Sequence, residues 1–368
     1  MSHFFHPAPI RPRRFVLWFL CAALGVLPVA VAALVLWTDP LQNWRASEWI
    51  MGDERYIMPG LARHQDYDTV AVGTSLAQNF TRSPTASVLG GKVINLSISG
   101  GTLFEVRQVL DVALRTGQVQ RVLWGIDDRE TMMSVETRAA GYPYFFYDDN
   151  PFNDVQYVYN LSVVQTAVAK LLSPGHSRLN LENMMAWYRN PRYRPGRAKV
   201  LREIAGDTAL AAIPGATAPD AGTDPRLLVT AADNIDRNVL LVIRAHPEVR
   251  FDIFVPPFST LHHALMARLS PGTFSTSVAI LESLVTKLLR EPNVTLHFFG
   301  DFAGVADNLD NYKDTSHYSV AVSHRILHEV RQGSYRLTPE NYRTRLDAWV
   351  AHVRAYDLDR DLSAVPPP

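Results

Sequence analysis

The sequence predicts an α/β protein, a three-layer αβα sandwich around a five-stranded parallel sheet. Five short apolar segments rich in β-branched and aromatic residues alternate with amphipathic helical segments. Glycine, proline or acidic residues lie at or next to the end of each of the five segments, as expected where strands end. The chain has 368 residues, of which 47% are hydrophobic. It is therefore large enough to bury such a sheet on both faces.

The first element that the sequence predicts is a transmembrane helix. An uncharged apolar run extends over residues 15–37, and about 20 helical residues suffice to cross a bilayer. Three arginines precede the run and favour a cytoplasmic location for residues 1–14. A cleaved signal peptide is the alternative, because Ala30, Ala32 and Ala33 could form a cleavage site. Signal peptides usually have shorter apolar regions of about 7–15 residues, so a retained anchor is favoured.

Charge and cysteine content exclude several function classes. The formal net charge is +0, from 36 basic and 36 acidic residues, so nothing points to nucleic acid as a partner. Cys21 is the single cysteine, which excludes an internal disulfide and a multi-cysteine zinc site. The function must therefore be sought in the predicted sheet and its loops.

The predicted sheet follows a connecting region, residues 38–65, and belongs to a domain formed by residues 66–128 and 236–356. Its strands are expected at Asp68–Thr74, Lys92–Ser99, Arg121–Asp127, Val249–Pro257 and Val294–Asp301. Apolar residues at helical spacing predict helices over Leu103–Gly117, Ser277–Pro292, Ser319–Gly333 and around Tyr342–Val353. A frayed tail, residues 357–368, is expected to complete the chain.

Residues 129–235 interrupt the alternation of strands and helices and are predicted to form a helical insertion or cap. Aromatic residues are concentrated in Tyr142–Asn160 and are expected to pack in a core rather than to line a ligand site. The segment Leu179–Asn190 is interpreted as helical. A loop rich in Gly, Ala, Pro and Thr, Gly206–Arg226, is expected to be mobile.

Polar residues follow the predicted strands at positions that a parallel sheet would bring to one crevice. Ser75 comes after the first strand, and Asp314 and His317 come after the fifth. A serine hydroxyl becomes a strong nucleophile when a histidine removes its proton, and an acid must orient that histidine. An aspartate three residues before a histidine can do so within one turn. The sequence therefore predicts Ser75, His317 and Asp314 as a catalytic triad.

These motifs resemble those of the SGNH (GDSL-like) hydrolases and acyltransferases. "VAVGTSLAQN" is similar to the first block of that family, with Ser75 as the nucleophile. "INLSISGGT" is similar to the second block and implies Gly100 as an oxyanion-hole glycine. "DTSHYS" matches the final block, with Asp314 and His317 as orienting acid and base. The resemblance runs in block order from residue 68 to residue 319 and implies a flavodoxin-like fold.

Two positions depart from the family pattern. Thr74 stands where the first block usually has Asp, and Asp127 in "LWGIDD" stands where the third block has the Asn that donates to the oxyanion. An ionised carboxylate there would repel the developing charge, and loss of one such donor typically costs about 10²–10³ in rate. Asp127 could be protonated, could point away while the backbone donors suffice, or could leave the site slow or inactive. Asn79 and Asn95 are nearby amides that could replace it.

The resemblance also implies a cellular setting. Family members with one N-terminal span and an extracytoplasmic domain modify envelope polysaccharides or teichoic acids, often beside a multispanning membrane acyltransferase. The expectation is a serine esterase or O-acyltransferase of the bacterial inner membrane, with its domain in the periplasm. Its substrate would be an acyl ester of an envelope or exported polysaccharide. The expected mechanism requires no metal and no cofactor.

Structural alternatives remain open for each of these residues. Ser75 could cap a helix, Asp127 and Asp128 could cap the next one, and the glycine pair at 100–101 could only form a turn. His262 and His263 follow the fourth strand and could bind substrate, or a metal together with an aspartate. A second function class is a catalytically inactive scaffold or glycan-binding protein.

Overall fold

The computed structural model describes residues 12–47, 52–172, 180–182, 184–205 and 222–363. The chain divides into two compact units, one of Met1–Gly60 with Pro143–Leu179, the other of Leu61–Tyr142 with Asn180–Pro368. The predicted insertion, residues 129–235, is distributed over both units. The domain boundaries given above from the sequence stay a prediction.

The second unit contains one sheet of five parallel strands, which confirms the predicted fold class. All five strands lie within the predicted segments and are shorter than these, because the polar ends of the segments form loops. The sheet order is β2-β1-β3-β4-β5. The strands are β1 Thr69–Val72, β2 Val93–Asn95, β3 Arg121–Gly125, β4 Arg250–Val255 and β5 Val294–Phe298.

The strand order places a switch in direction at β1. Thr69 pairs with Val93 of β2 on one side and with Arg121 of β3 on the other, so the chain builds the sheet outward from β1 in both directions. In open parallel sheets, ligands bind outside the carboxyl ends of the strands at such a switch point. The carboxyl ends of β1 and β3 are therefore the expected location of a site.

Both faces of the sheet are covered by helices. Val70, Ala71 and Val72 of β1 are each 0% exposed, and consecutive strand residues point to opposite faces. One face joins a core that includes Phe80, Phe254 and residues of the helix Val320–Gln332. Continuous apolar burial of this kind is typical of parallel sheets.

Two helices of the second unit, Leu103–Arg115 and Val320–Gln332, begin and end within two residues of the predicted bounds, whereas Pro271–Leu288 begins six residues before the predicted start at Ser277. Thr102 and Glu105 form a capping box at the start of the helix Leu103–Arg115. Gly333, at φ 73°, ends Val320–Gln332. The α-helices of this unit with three or more turns are Leu103–Arg115, Pro225–Ile235, Pro271–Leu288, Val320–Gln332 and Tyr342–Ala355. The shorter ones are Arg82–Leu89, Asp128–Thr131, Arg197–Ala205, Leu241–Ala245, Thr260–Leu269 and Leu358–Ser363.

Two local predictions are wrong. The segment predicted as a helix over 179–190 forms turns and the 3₁₀ helix Trp187–Arg189 within its described residues. Hydrogen bonds to the loop after β1 hold this segment, so tertiary contacts override its helical composition. The predicted frayed tail contains the helix Leu358–Ser363, in which Leu358 and Asp361 are buried. Residues 206–221 and 364–368, which include most of the predicted mobile loop and the end of the tail, lie outside the described residues.

The first unit contains the apolar helix Pro12–Thr38, which is long and apolar enough to cross a membrane. A π-helical turn, Ala22–Val26, lies within it. Asp39 follows at φ 36° and its carboxylate accepts hydrogen bonds from the next turn of backbone. The other helices that begin in this unit are Glu54–His64, Val155–Val158 and Leu161–Leu172. Residues 1–11, most of the predicted cytoplasmic segment, are outside the described part of the chain.

Candidate active site

The loop after β1 presents Ser75 at the switch point of the sheet. Gly73 has φ +148°, and a Cβ there would lie 2.8 Å from the carbonyl oxygen of Gly125 at the end of β3. Glycine therefore permits the two strand ends to approach each other. Ser75 then begins a turn rather than a helix, and Thr81 occupies the N-cap of the next helix. The alternative that Ser75 is a helix cap is not what the structure shows.

Ser75, His317 and Asp314 lie in one hydrogen-bonded chain. Ser75 Oγ is 2.7 Å from His317 Nε2. His317 Nδ1 lies 2.8 Å from Asp314 Oδ2 and 3.0 Å from Oδ1. Because a carboxylate accepts the proton on Nδ1, Nε2 is left as the acceptor for the serine hydroxyl. The three residues predicted from the sequence are thus brought together, although 242 positions separate the serine from the histidine.

Asp314 is held in its charged form. Burial alone raises its pKa, but the hydrogen bond and the charge of His317 outweigh that effect and bring the pKa below its usual range. The backbone N–H groups of Ser316 and His317 also donate to its Oδ1, at 2.9 and 2.7 Å. An ionised Asp314 can orient the imidazole and stabilise its protonated form.

The turn that carries Ser75 is fixed by two aromatic side chains that sequence reasoning did not single out. Trp187 Nε1 donates to the carbonyl oxygen of Ser75 at 2.8 Å, and the indole ring lies edge-on to His317 with centroids 5.8 Å apart. Tyr318 donates its hydroxyl proton to the carbonyl oxygen of Leu76 at 2.6 Å. Tyr318 is adjacent to His317 in sequence, and this adjacency could have identified it as a residue of the site. The sequence around Trp187 contains no such indication.

A basic side chain lies against the same tryptophan. Lys313 Nζ is 4.4 Å from the ring centroids of both Trp187 and Tyr193, which is cation–π distance. It is also 3.9 Å from Asp314 Oδ2. Burial lowers the pKa of Lys313, while the charge of Asp314 opposes that shift. The ring pair therefore holds a positive charge beside the acid of the triad.

The backbone N–H groups of Ser75 and Gly100 are available as donors. Within the described part of the chain, no group accepts a hydrogen bond from either. Gly100 has φ 57°, and Gly101 N donates to Ile98 O at 2.9 Å, so the glycine pair forms the tight turn that was one alternative. That turn and the serine line the same cleft. Two N–H groups at such positions can stabilise an oxyanion.

Asp127, the third residue predicted for the oxyanion hole, begins the helix Asp128–Thr131. Its Oδ1 accepts from Glu130 N at 3.0 Å, and Glu130 Oε1 accepts from Asp127 N, also at 3.0 Å. Asp127 Oδ2 accepts from the Thr74 hydroxyl at 3.1 Å. This capping box is the structural alternative for Asp127. Thr74, which stands where the family has Asp, is the partner of this carboxylate.

Burial changes the charge of this acidic pair. Burial, together with the charge of the neighbouring Asp128, raises the pKa of Asp127 to about 6. Burial also raises the pKa of Glu130 well above its usual value, and the charge of Asp127 adds to that effect. Asp127 is therefore protonated in mildly acidic solution and ionised above pH 6. The carboxylate that would repel an oxyanion is therefore present at neutral pH and is lost only in mildly acidic solution.

The cleft has a volume of about 220 Å³ and lies entirely in the second unit. It contains the triad serine and histidine, the glycine turn and the acidic cap. Its lining residues are Thr74, Ser75, Leu76, Gly100, Gly101, Asp127, Asp128, Arg129, Glu130, Met133, Phe258, His262, Ser316 and His317. Asn79 and Asn95 do not line it. Asn95 instead donates to the carbonyl oxygens of Ala77 and Phe80.

The two histidines after β4 differ in position. His262 lines the cleft, stacks on Phe258 with centroids 4.9 Å apart, and has Nδ1 3.1 Å from the Thr315 hydroxyl. His263 is buried below it. Burial lowers the pKa of both rings. Among the described residues, no group of three or more His, Cys, Asp or Glu side chains is arranged to hold a metal ion.

No protein-family model matches the chain, and no curated protein matches it. One solved structure that is similar comes from Streptococcus pneumonia and is provisionally described as a platelet activating factor. It is 12% identical, with a TM-score of 0.37, and the match covers 83% of this chain and 97% of that chain. At this level of likeness, no residue role is carried over from it.

Proposed function

We propose that this protein is an SGNH-like serine esterase or O-acyltransferase that is anchored in a membrane. The observation that carries the proposal is the distance of 2.7 Å between Ser75 Oγ and His317 Nε2, with Asp314 on the opposite side of the imidazole. This order of nucleophile, base and orienting acid is the one that acyl transfer through a serine requires.

In the proposed reaction, Ser75 Oγ attacks the carbonyl carbon of an acyl ester while His317 Nε2 takes the hydroxyl proton. Asp314 holds the Nδ1 proton and stabilises the imidazolium. The carbonyl oxygen becomes an oxyanion that accepts from the N–H groups of Ser75 and Gly100. When the intermediate collapses, the bond to the leaving alcohol breaks and the imidazolium returns the proton to that oxygen. The product is an acyl-serine and a free alcohol.

The acyl-serine is resolved by the same groups in reverse roles. Water or a sugar hydroxyl gives its proton to His317 and attacks the acyl carbon, and Ser75 leaves and recovers the proton. Water makes the protein an esterase, and a sugar hydroxyl makes it an O-acyltransferase. The acidic and hydroxyl groups in the lining of the cleft, among them Asp128 and Ser316, could bind a hydroxyl-bearing acceptor.

We further propose that the substrate is an acyl ester of an envelope or exported polysaccharide. The support is the apolar N-terminal helix, which would hold the domain at a membrane surface, together with the motif resemblance to envelope-modifying enzymes. The setting would be the bacterial inner membrane, with the domain on the periplasmic side. A multispanning membrane acyltransferase is the proposed protein partner.

The test is covalent labelling of the full-length chain in detergent with a fluorophosphonate probe, which reacts with activated serines. We expect the wild type to be labelled at one site and Ser75→Ala to lose the label. Ser87→Ala is the matched control, because Ser87 is exposed on the helix Arg82–Leu89 away from the cleft. Labelling that persists in Ser75→Ala would sink the proposed nucleophile.

The second candidate is an inactive scaffold or glycan-binding protein with the same fold. Asp127 favours it, because a carboxylate occupies the position expected to donate to the oxyanion. A wild type that takes up no label between pH 5 and pH 8, but retains saturable binding of an acetylated polysaccharide, would support this candidate instead.

A further inference from the structure

A second apolar helix packs beside the N-terminal one in the first unit. This helix, Leu161–Leu172, contacts the last part of the span, Leu27–Thr38. Just before it, the Tyr159 hydroxyl donates to the carbonyl oxygen of Pro28 at 3.3 Å. Near its end, Lys170 Nζ donates to the carbonyl oxygen of Thr38 at 2.7 Å. The two helices therefore run in the same direction, from the level of Pro28 to the level of Thr38.

The burial pattern of the span agrees with these contacts. Pro28, Val31, Val35 and Thr38 are partly or fully buried and recur at helical spacing, so they form one covered face. Ala32 and Leu34 beside this face are also partly buried. Towards the N-terminus Ala23 is partly buried, but Leu24, one turn before Pro28, is 76% exposed. The cover thus begins at Pro28 and extends to the end of the span.

The depth of this cover in a bilayer follows from helix geometry. Ten residues of α-helix rise about 15 Å, which is half of the ~30 Å thickness of the hydrocarbon core. If the apolar run ends at the outer boundary of the bilayer, next to Thr38, then Pro28 lies near the midplane. A helix that accompanies the span from Pro28 to Thr38 occupies the outer leaflet.

We propose that Leu161–Leu172 is a second membrane-embedded element, inserted into the outer leaflet beside the span, with lipid acyl chains as its partner. The inference rests on the proposed anchor. This second element would attach the chain to the membrane through two segments that are distant in sequence. It would also explain why a helix outside the predicted span has apolar side chains on its exposed side.

The composition of the helix fits this environment. Its exposed apolar residues are Leu161, Val168, Leu171 and Leu172. Its single charge, Lys170, lies at the Thr38 level, where a lysine reaches the interface. The deep end is capped internally, since Asn160 Oδ1 accepts from the N–H groups of Ser162 and Val163. In lipid, backbone N–H groups must find their hydrogen-bond acceptors within the protein. Ser162 and Gln165 are its exposed polar side chains and carry no charge.

The test is cysteine accessibility in the full-length chain, reconstituted into phosphatidylcholine–phosphatidylglycerol vesicles. Cys21 is first replaced by Ala, because it is the single native cysteine. Three variants then carry one cysteine each at positions of similar exposure: Leu161→Cys (72%), Leu24→Cys (76%) and Glu136→Cys (side chain 78%). Labelling with a membrane-impermeant maleimide is normalised to labelling in dodecyl sulfate.

We expect the cysteine at 136 to react as in water, and those at 24 and 161 to react at least about tenfold more slowly because lipid covers them. A bimane attached at 161 should also be quenched by lipids brominated in mid-chain. Free reaction at 161 with protection at 24 would overturn this inference and leave the anchor in place, and so would an absence of quenching. Free reaction at both positions would remove the anchor as well.

Discussion

At the scale of one residue, Asp127 is a helix cap at a position predicted for the oxyanion hole. Its carboxylate caps a helix through Glu130 N and accepts from Thr74, while its position in the chain is the one expected to donate to the oxyanion. Asn can accept the same capping hydrogen bond and also donate. The substitution Asp127→Asn therefore separates the charge from the cap.

We expect Asp127→Asn to raise the rate of fluorophosphonate labelling at pH 8 by about tenfold or more, because an amide donor replaces an ionised carboxylate. At pH 5 the wild-type Asp127 is protonated, since burial raises its pKa to about 6, and the gain should be small. The measurement is the ratio of variant to wild-type rate from pH 5 to pH 8. A ratio that does not change with pH would show that the charge of Asp127 is irrelevant to the reaction.

The same substitution, Asp127→Asn, should also change how the stability of the folded chain depends on pH. The pKa of Asp127 is higher in the folded chain, about 6, than its ordinary value of 3.8. Its contribution is therefore fully present below pH 4 and is lost as the pH rises through 6, by up to ~3 kcal/mol. Asn does not titrate, so the thermal unfolding temperature of Asp127→Asn should fall less between pH 4 and pH 7 than that of the wild type. Equal falls would contradict this assignment.

Trp187 is a positioning residue for the serine turn. Trp187→Phe keeps a ring beside His317 but removes the Nε1 proton that the carbonyl oxygen of Ser75 accepts. One such hydrogen bond is worth about 1 kcal/mol, so we expect a roughly fivefold fall in the maximal labelling rate with the probe's half-saturating concentration unchanged. Tyr188→Phe is the control in the same turn. A weaker affinity for the probe at an unchanged maximal rate would indicate substrate contact instead of positioning.

At the scale of elements, the helix Pro225–Ile235 supports the wall of the cleft through one amide. Asn234 Nδ2 lies 3.0 Å from the carbonyl oxygen of Glu130, 3.3 Å from that of Thr131 and 2.8 Å from that of Met133. Asn238, one turn later, donates to the carbonyl oxygen of Val135 at 2.8 Å. These carbonyls follow the acidic cap, at the end of the short helix Asp128–Thr131, and that of Glu130 also accepts from Met133 N at 3.4 Å.

Asn234→Ala should therefore reduce the free energy of unfolding by about 1–3 kcal/mol, because buried carbonyl groups lose their donor. Asp233→Ala is the matched control, since Asp233 is on the same helix and half exposed in an ion pair with Arg237. Thermal unfolding of both variants in detergent measures the difference. Equal effects of the two substitutions would show that the amide is not a support.

The sequence was sufficient for the elements whose signals are local. Each of the five strands was predicted within its segment, and the proximity of Ser75, His317 and Asp314 could be predicted because parallel strands bring their carboxyl ends to one edge. Trp187 could not be predicted, because its role depends on a contact with Ser75 across 112 positions. The prediction of a helix at 179–190 was wrong for the same reason, since contacts with residues distant in sequence determine the conformation of that segment. The capping function of Asp127 was foreseen only as an alternative to catalysis.

At the scale of the whole molecule, the packing of the first unit bears on whether the anchor is retained. Val35 is 0% exposed, and Tyr157 donates its hydroxyl proton to Asp39 at 2.9 Å. Cleavage near Ala30–Ala33 would remove the part of the helix that contains Pro28 and expose the apolar face that covers it. We therefore expect the mature chain to keep the apolar run.

Intact-mass analysis of the protein purified from membranes checks this prediction. The expected mass includes residues 15–37, and the chain should stay in the membrane pellet after extraction with alkaline carbonate. A mature N-terminus between residues 30 and 38 would show that the apolar run is a signal peptide.

The separation of Ser75 from His317 also determines when the site can come into existence. Ribosomes add roughly 5–20 residues per second, so the 242 positions between the two side chains correspond to about 12–50 s of synthesis. During that interval the serine has been synthesised but its base has not. The nascent chain thus carries an ordinary alcohol at position 75, and the hydroxyl acquires a base only after almost the whole chain has been synthesised.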